Sequence, residues 1–330
     1  MTQVRWGIVG TGRMAEVYAR EFRLVAQAQL LAVASRDAAR AQEFAATHDI
    51  PRFFGSYGEL LADDDIDVVY IATPHPQHRD IALAAIEHRK AVVVEKSFTA
   101  TYAGAKQVVA AAREAGVFCV EGMWTRYQPI FQVARDIVAW GRIGDVLGVQ
   151  GDLCAHRGYD PDDRLFKPEL GGGALLDLGV YVVSFAQAFL GEADQIKCVG
   201  RYAPNGVDHA ANISLRYRNG GLGSLSCGFD ALGPGRMAIF GTRGWIDIEP
   251  RFHHATTLRV HRNGLLPRVI EAKLTGKGYT HQISAVSDLV AAGALESSTM
   301  PLSDTLEVMR VLQSCLSQLG VTHQEAAVVL

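Results

Sequence analysis

The sequence has few cysteines, and they form no recognisable pattern. The five are odd in number and scattered, without a Cys-x-x-Cys pair. A disulfide framework is therefore not expected, and neither is a cysteine-held metal site. The thiols are predicted to be reduced and mostly buried, as in a cytoplasmic protein. They are Cys119, Cys154, Cys198, Cys227 and Cys315.

Long apolar runs and blocks of basic residues are also missing. No continuous apolar run approaches the roughly 18–20 residues that cross a bilayer. The start, MTQVRWGIVG, enters a strand pattern at once, without the features of a signal peptide. The net charge is −3 with no basic block, so nucleic acid and anionic membranes are not expected as partners. A content of 48% hydrophobic and 20% charged residues suits a soluble globular protein.

The first third of the chain alternates between strand and helix patterns. Near-continuous apolar strands separated by helices predict a parallel sheet that is covered on both faces, as in a doubly wound nucleotide-binding (Rossmann) domain. The predicted strands are 4–10, 30–35, 52–54, 67–73, 91–95 and 117–122. The predicted helices are 14–22, 37–48, 56–62, 81–88 and 103–116.

The rest of the chain has a different rhythm, with a series of strands joined by turns such as NGG at 219–221. This pattern predicts an α+β domain with a large, mostly antiparallel sheet. The predicted domains are 1–122 and 123–330. The predicted strands are 145–154, 194–202, 209–217, 221–229, 236–240, 244–248, 257–262 and 266–273. The predicted helices lie near 127–140, 174–190, 280–292 and 303–318.

The first strand leads into a G-x-G-x-x-A turn that opens a helix. In such a turn the first glycine permits a tight bend, the second lets the backbone approach a pyrophosphate, and the small third residue lets helix and strand pack closely. The helix N-terminus supplies N–H donors for the anion. The sequence therefore predicts dinucleotide binding here, at Gly10, Thr11, Gly12, Arg13, Met14 and Ala15.

The end of the second strand bears on the choice between NAD and NADP. A carboxylate at this position usually binds the ribose 2′-hydroxyl of NAD. Here Ser35 is followed by Arg36, whose guanidinium suits a 2′-phosphate, and Arg40 lies one turn further on. Asp37 is interpreted as a cap of the next helix. NADP is therefore expected, with Arg36 as a solvated loop residue as the alternative.

The strand at 67–73 ends in IATPHPQHRD. Ligands bind at the carboxyl ends of strands in open parallel sheets, so Thr73 and Pro74 are expected at the cofactor. His75 and His78 are three residues apart, a spacing that can share a helix face. No acidic or cysteine partner is nearby in sequence, so no metal is expected, and both histidines are predicted to line or border the nicotinamide end.

Five motifs together identify the family that the chain resembles. GIVGTGRMA, IATPHPQH, VVVEKSFTAT, EGMWTRYQP and GGGALLDLGVY are similar to motifs of the Gfo/Idh/MocA oxidoreductases. Within that family the chain looks most like the branch of dimeric trans-dihydrodiol dehydrogenases and NADP-dependent D-xylose dehydrogenases. The resemblance covers essentially the whole chain and implies a Rossmann domain followed by a substrate domain.

The resemblance implies the catalytic residues. Lys96 matches the lysine of the family's E-K-P motif, beside the nicotinamide, with Glu95 before it and Ser97 where most members have proline. Asp177 and Tyr181 match the family's pair on the helix after the glycines. Tyr181 is then the acid/base, Lys96 its electrostatic partner, and Asp177 orients the substrate or the lysine. Which of Lys96 and Tyr181 carries the transferable proton stays open, because coupled groups titrate together.

Substrate contacts are expected from the stretches that flank these motifs. Trp124 and Arg126 follow the last parallel strand and are predicted near both cofactor and substrate, with hinge packing as the alternative for Trp124. Others lie on the loop before the glycines or at the start of a later helix. These are His156, Arg157, Tyr159, Tyr279 and, within reach, Phe166 and Lys167.

Three hypotheses for the function remain. The first is an NADP-dependent dehydrogenase acting on a hydroxyl of a cyclic sugar, polyol or trans-dihydrodiol. The second is a keto-sugar reductase that works in the opposite direction. The third is a regulatory protein that binds NADP without catalysis, which the presence of Lys96, Asp177 and Tyr181 argues against. A homodimer or dimer of dimers through the second domain's sheet is expected in each case.

Overall fold

The computed structural model describes residues 3–330 and contains two compact units. The first unit runs to Trp124 and adds Thr275–Leu302 and Gln324–Leu330. The second comprises Thr125–Leu274 and Ser303–His323. The compact units follow from contacts within the chain and do not show which part binds cofactor or substrate. The predicted boundary at residue 122 between a cofactor domain and a substrate domain therefore stays a prediction.

The first unit is built on a six-stranded parallel sheet in the order β3-β2-β1-β4-β5-β6. The predicted alternation of buried strands and helices is confirmed, and β4 and β5 are buried along their whole length. The strand order reverses between β1 and β4, which is where ligands bind in such sheets. The strands are β1 Val4–Val9, β2 Ala28–Ala34, β3 Arg52–Phe54, β4 Val68–Ile71, β5 Ala91–Glu95 and β6 Cys119–Gly122. The helices are α1 Arg13–Phe22, α2 Ala38–His48, α3 Tyr57–Leu61, α4 His78–Glu87 and α5 Tyr102–Ala115.

The second unit is built on an eight-stranded sheet in the order β14-β13-β12-β11-β7-β10-β9-β8. Neighbouring strands are antiparallel except β7 and β10, which confirms the predicted mostly antiparallel sheet. The strands are β7 Val146–Cys154, β8 Ala193–Tyr202, β9 Asp208–Tyr217, β10 Leu222–Gly228, β11 Met237–Gly241, β12 Gly244–Ile248, β13 Thr257–Arg262 and β14 Arg268–Glu271. The helices are α6 Pro129–Ala139 and α7 Val180–Leu190.

Two helices close the chain, and they belong to different units. Helix α8 (Tyr279–Ala291) packs in the first unit, where the indole N–H of Trp6 donates to Ser287 Oγ at 3.1 Å. Trp6 is fully buried, so this bond joins the helix to the centre of the parallel sheet. Helix α9 (Leu302–Gln318) lies in the second unit from Ser303 onward.

One helical stretch in the second unit is unusually long and apolar. Pro168–Leu190 has 23 residues and is apolar enough to cross a bilayer by length and composition alone. However, 78% of its apolar 18-residue segment is buried inside the structure, and nine residues of α7 are buried. Packing in the core of the second unit therefore accounts for its apolar character.

Candidate active site

The loop between β1 and α1 has the form that a pyrophosphate needs. Gly10 has a φ of +102°, and a side chain there would come within 3.1 Å of the Ala72 carbonyl oxygen. Gly12 caps α1, and nothing lies within 4 Å of where its Cβ would be. Ala15 is fully buried in the first turn. The open space over Gly12, next to a helix N-terminus, fits a dinucleotide phosphate.

The segment after β2 has exposed arginines and a carboxylate that caps the next helix. Asp37 accepts hydrogen bonds from the backbone N–H groups of Ala39 and Arg40 at 3.0 and 3.2 Å, which confirms it as the cap of α2. Ser35 is buried, and its hydroxyl accepts from the Asp37 N–H at 3.2 Å. Burial raises the pKa of the Tyr57 phenol, and the charge of Arg36 acts in the opposite direction. Arg36 and Arg40 are both exposed.

The end of β4 carries a buried polar group and a buried histidine. Thr73 Oγ1 is buried and lacks a hydrogen-bond partner within residues 3–330. The ring nitrogens of His78 lie 2.7 Å from the Thr73 carbonyl oxygen and 3.0 Å from the Ser97 carbonyl oxygen. His78 is fully buried, so it ties the end of β4 to the segment after β5. His75 is 4% exposed in the short helix His75–Gln77 after Pro74, with its ring 5.7 Å from that of His78.

Lys96 follows β5 directly and is 9% exposed. Its neighbour Glu95 accepts a 2.6 Å hydrogen bond from the Tyr70 hydroxyl. Burial and the nearby Glu95 carboxylate raise the pKa of Tyr70 well above its ordinary value, which keeps the phenol protonated as a donor. The Lys96–Ser97 peptide is cis. Glu95, Lys96 and Ser97 are all buried, so the strand ends in a buried polar segment.

Two aromatic residues with predicted substrate roles meet in the first unit. The rings of Trp124 and Tyr279 stack at 4.1 Å with an angle of 18° between their planes. Tyr18 lies 5.3 Å from Tyr279 and stacks on Tyr70 at 3.7 Å. Trp124 is 4% exposed, whereas Tyr279 is partly exposed. Their predicted contacts with substrate stay predictions.

In the second unit, Asp177 and Tyr181 lie on one helical stretch. It begins as a π-helix at Leu175–Gly179 and continues as α7. Wide turns of this kind occur often at functional sites. The carboxylate and the phenol are four residues apart, so they lie close to one face of the stretch. Tyr181 is 7% exposed.

Three further residues lie at this stretch, and the sequence did not single them out. Arg164 Nη2 is 3.2 Å from Asp177 Oδ1. The ring of His253 lies 5.5 Å from that of Tyr181. The carboxylate of Asp208 accepts a 2.6 Å hydrogen bond from the Leu175 N–H. Each contact joins residues at least 13 positions apart, so neither motif nor local spacing marks them.

The predicted substrate loop after β7 is mostly exposed. His156, Arg157 and Tyr159 are exposed, and the Tyr159 ring packs edge-on against buried Phe166 at 5.2 Å. Lys167 is partly exposed, and its Nζ lies 3.6 Å from Asp162. Their roles toward a substrate stay predictions.

Arg126 occupies the interior of the second unit and is 2% exposed. Its guanidinium donates to Ser184 at 2.9 and 2.8 Å, to Gln187 at 2.5 Å and to Asp304 at 2.5 Å. These contacts give it a structural role between α7 and α9. Its predicted role toward cofactor and substrate stays a prediction.

A further question for the described part of the chain is whether it holds side-chain groups of the kind that bind metal ions. Across residues 3–330, no three His, Cys, Asp or Glu side chains come together in a group that could hold a metal ion.

Two family models match consecutive parts of the chain, and together they cover more than two thirds of it. A model described as "Oxidoreductase family, NAD-binding Rossmann fold" matches residues 4–123. A Gfo/Idh/MocA C-terminal domain model matches residues 131–247.

Individual proteins resemble the chain over nearly its full length. Trans-1,2-dihydrobenzene-1,2-diol dehydrogenase of Xenopus laevis is 34% identical, with 97% of this chain and 99% of the relative covered. A levoglucosan dehydrogenase solved with NADH and levoglucosan has a TM-score of 0.89 at 20% identity, with 97% and 98% covered. A 3-ketoreductase from Actinomadura kijaniata solved with NADP has a TM-score of 0.83 at 24% identity, with 96% and 98% covered. The two structures show a shared fold.

Proposed function

Because the chain belongs to the Gfo/Idh/MocA oxidoreductase family, whose fold binds NAD(P), we propose that it is an NADP-dependent dehydrogenase. Its substrate is a cyclic sugar, polyol or trans-dihydrodiol, and the reacting group is a CH–OH carbon. One observation carries the proposal. A buried helical stretch in the second unit bears a carboxylate and a phenol four residues apart, Asp177 and Tyr181, with Arg164 on the carboxylate.

The cofactor, when bound, accepts or returns the hydride. The protein must then exchange the hydroxyl proton, and Tyr181 is assigned this task. A phenol with an ordinary pKa near 10 is a poor base at neutral pH. A nearby ammonium favours the phenolate and the developing alkoxide, and Lys96 supplies that charge. Asp177 orients the substrate hydroxyl.

The residues around β1, β2 and β4 are assigned to the cofactor. The pyrophosphate is assigned to the N–H groups at Gly12–Met14, supported by the open space over Gly12. The buried Thr73 hydroxyl, which has no hydrogen-bond partner among residues 3–330, is assigned to bind the nicotinamide end of the cofactor. His75 and His78 are assigned to line or border the nicotinamide end, where the His78 ring contacts the carbonyl oxygens of Thr73 and Ser97.

The preference for NADP rests on Arg36 and Arg40. Both are exposed cations at the end of β2, and a ribose 2′-phosphate is the ligand that such a pair suits. Asp37, the carboxylate nearest in sequence, is engaged as a helix cap. It is therefore unsuited to bind a 2′-hydroxyl as NAD-specific sites do.

The proposed substrate class rests on the name of a relative and on the side chains assigned to the site. The Xenopus relative is named for a trans-dihydrodiol of benzene. Aromatic residues such as Trp124, Tyr279 and Tyr159 suit the faces of a ring, and Asp177 and Arg164 suit its hydroxyl groups. A cyclic diol or a pyranose meets both requirements.

A substrate panel tests the function. Purified protein is mixed with aldoses, inositols and trans-dihydrodiols, each with NADP and with NAD, while absorbance of the reduced cofactor is followed. Turnover of at least one cyclic diol or sugar with NADP is expected. No turnover across the panel, nor of keto-sugars with NADPH, despite tight NADP binding, would leave the regulatory hypothesis in its place.

A homodimer through the outer face of the eight-stranded sheet is part of the proposal. Phe240 and Trp245 pair across β11 and β12 and are 38% and 37% exposed, and Leu222 on β10 is 60% exposed. A second copy of this face would cover these apolar side chains. A cytoplasmic location is also proposed, supported by five free thiols of which four are buried.

A further inference from the structure

Asp208 is a buried carboxylic acid at the first residue of β9. Its Oδ2 accepts a hydrogen bond from the Leu175 N–H at 2.6 Å. Its Oδ1 is buried and lacks a hydrogen-bond partner in the stretch from residue 3 to the C-terminus. The side chain thus comes from a strand and holds the first residue of the π-helix that bears Asp177.

Gly173 is shaped to this carboxylate. Its φ is +129°, and a Cβ there would overlap Asp208 Oδ1. The helical stretch also lies close to the sheet further along, where a Cβ on Gly179 would be 3.2 Å from Cys227 Sγ. The chain between these glycines therefore sits directly on β9 and β10, with Asp208 at its beginning.

The charge on Asp208 has little compensation. Burial raises the pKa of this carboxyl to about 7, while backbone N–H groups at Leu175 and Ala174 act in the opposite direction. The titratable groups that face it are the thiols of Cys227, Cys198 and Cys315, from β10, β8 and α9. A buried acid without a cationic partner is costly. An apolar residue at this position would stabilise the fold more if packing were its only role.

We propose that Asp208 is a positioning residue for the reaction, because it fixes the helix start and thereby the side chains of Asp177 and Tyr181. The ionised carboxylate holds the Leu175 N–H through a charge-assisted hydrogen bond, which is stronger than a neutral one. Protonation weakens that bond and loosens the stretch. This inference rests on the proposed function, since it assigns Asp177 and Tyr181 to the active site.

The test compares Asp208→Ala and Asp208→Asn with a matched control. Glu307→Gln alters another buried carboxylate of the same unit, one that accepts from the Ala193 backbone N–H at 2.9 Å, away from the helix start. We expect kcat of Asp208→Ala to fall about tenfold to a hundredfold, the range for a small displacement of reacting groups. KM for NADP should stay within about twofold. Glu307→Gln should keep the wild-type kcat.

The pH profile separates positioning from general packing. Wild-type kcat should fall below about pH 7 as Asp208 becomes protonated. Asp208→Asn keeps an oxygen that can accept from Leu175 but carries no charge, so it should show the reduced rate of the protonated wild type at every pH and lose that inflection. If Asp208→Ala does not fold, this profile decides alone. Identical profiles for wild type and Asp208→Asn would overturn the inference.

Other outcomes are equally decisive. A folded Asp208→Ala with wild-type kcat overturns the inference, as does an equal loss of kcat in Asp208→Ala and Glu307→Gln. The proposed function fails separately, because it requires loss of turnover in Tyr181→Phe. Turnover lost in Tyr181→Phe but kept in Asp208→Ala removes this inference and leaves the proposed function standing.

Discussion

The guanidinium of Arg164 lies 3.2 Å from the Asp177 carboxylate, on the helical stretch that also bears Tyr181. Arg164 belongs to the short helix Arg164–Phe166 in the predicted substrate loop. The contact holds the carboxylate in one orientation and brings a loop cation to the proposed site.

Replacing Arg164 with Gln should therefore impair catalysis more than folding. We expect kcat/KM for the substrate to fall about tenfold, in keeping with the loss of one charge-assisted hydrogen bond. Steady-state kinetics at saturating NADP measures the effect. Arg236→Gln is the matched control, because Arg236 is equally exposed (48%) and lies 3.3 Å from Asp247 in the same unit. Equal losses in both variants would contradict a specific role.

The phenol of Tyr181 should be needed for proton exchange. Tyr181→Phe keeps the ring beside His253 but removes the hydroxyl, so turnover should fall by about two orders of magnitude or more. Binding of NADP, followed by quenching of tryptophan fluorescence, should not change. Tyr202→Phe serves as the control, since that hydroxyl donates to the Leu319 carbonyl oxygen. Near-normal turnover in Tyr181→Phe would remove it as the acid/base.

The choice of cofactor should depend on Arg36. Arg36→Ala should raise KM for NADP about tenfold to a hundredfold, since hydrogen bonds to charged groups contribute about 1.5–3 kcal/mol. KM for NAD should change little, because NAD has no 2′-phosphate. Arg23→Ala, which removes an exposed arginine paired with Asp49 on the same unit, controls for net charge. A parallel rise in both constants would speak against 2′-phosphate recognition.

The outer face of the second unit's sheet should form the dimer. Trp245 stacks on His261 at 3.7 Å yet stays 37% exposed. In a two-fold interface, Trp245→Arg would introduce two positive charges and should convert dimers to monomers. Light scattering coupled to size exclusion measures the mass. Trp140→Arg is the control, since Trp140 is 67% exposed at the end of α6, outside the sheet. A wild-type protein that is monomeric at micromolar concentration would refute the interface.

Most of the fold could be predicted because its signals are local. Buried parallel strands are continuous apolar runs, so 91–95 agrees with β5 to the residue. The antiparallel strand β13 alternates between buried and more exposed residues, and 257–262 agrees with it as well. The prediction for β14 was too long, at 266–273 against Arg268–Glu271, because an exposed strand has a weaker apolar pattern. The π-helical form of Leu175–Gly179 was not foreseen, since the sequence pattern there suits an α-helix equally well.

The site could be predicted only where motifs mark it. Lys96, Asp177 and Tyr181 stand in recognisable stretches, whereas Arg164 and Asp208 derive their roles from partners elsewhere in the chain. Asp208 lies 33 positions after Leu175. It is the first residue of a strand whose later residues alternate between buried and exposed. A burial pattern that turns an acid inward is the one signal that could have marked it.

The stability of the first unit should depend on pH through Asp67. Arg5 donates to this carboxylate from its backbone N–H and its guanidinium, at 2.8 to 3.1 Å. Burial acts to raise the pKa of Asp67, but the hydrogen bonds from Arg5 outweigh it and hold the pKa below its ordinary value. A carboxyl with a lowered pKa stabilises the folded state above the unfolded pKa of about 3.9, and the contribution is lost as pH falls through the folded value.

Asp67→Asn should therefore lower the free energy of unfolding at pH 7 by about 1 kcal/mol, a value reduced because the pair is partly exposed. The difference from wild type should shrink below about pH 4. Urea unfolding followed by tryptophan fluorescence measures it, because Trp6 is buried on the same strand as Arg5. Asp64→Asn is the control, as an exposed aspartate three residues away. A difference that stays constant from pH 7 to pH 3 would exclude the ionised pair as its source and leave altered packing as the cause.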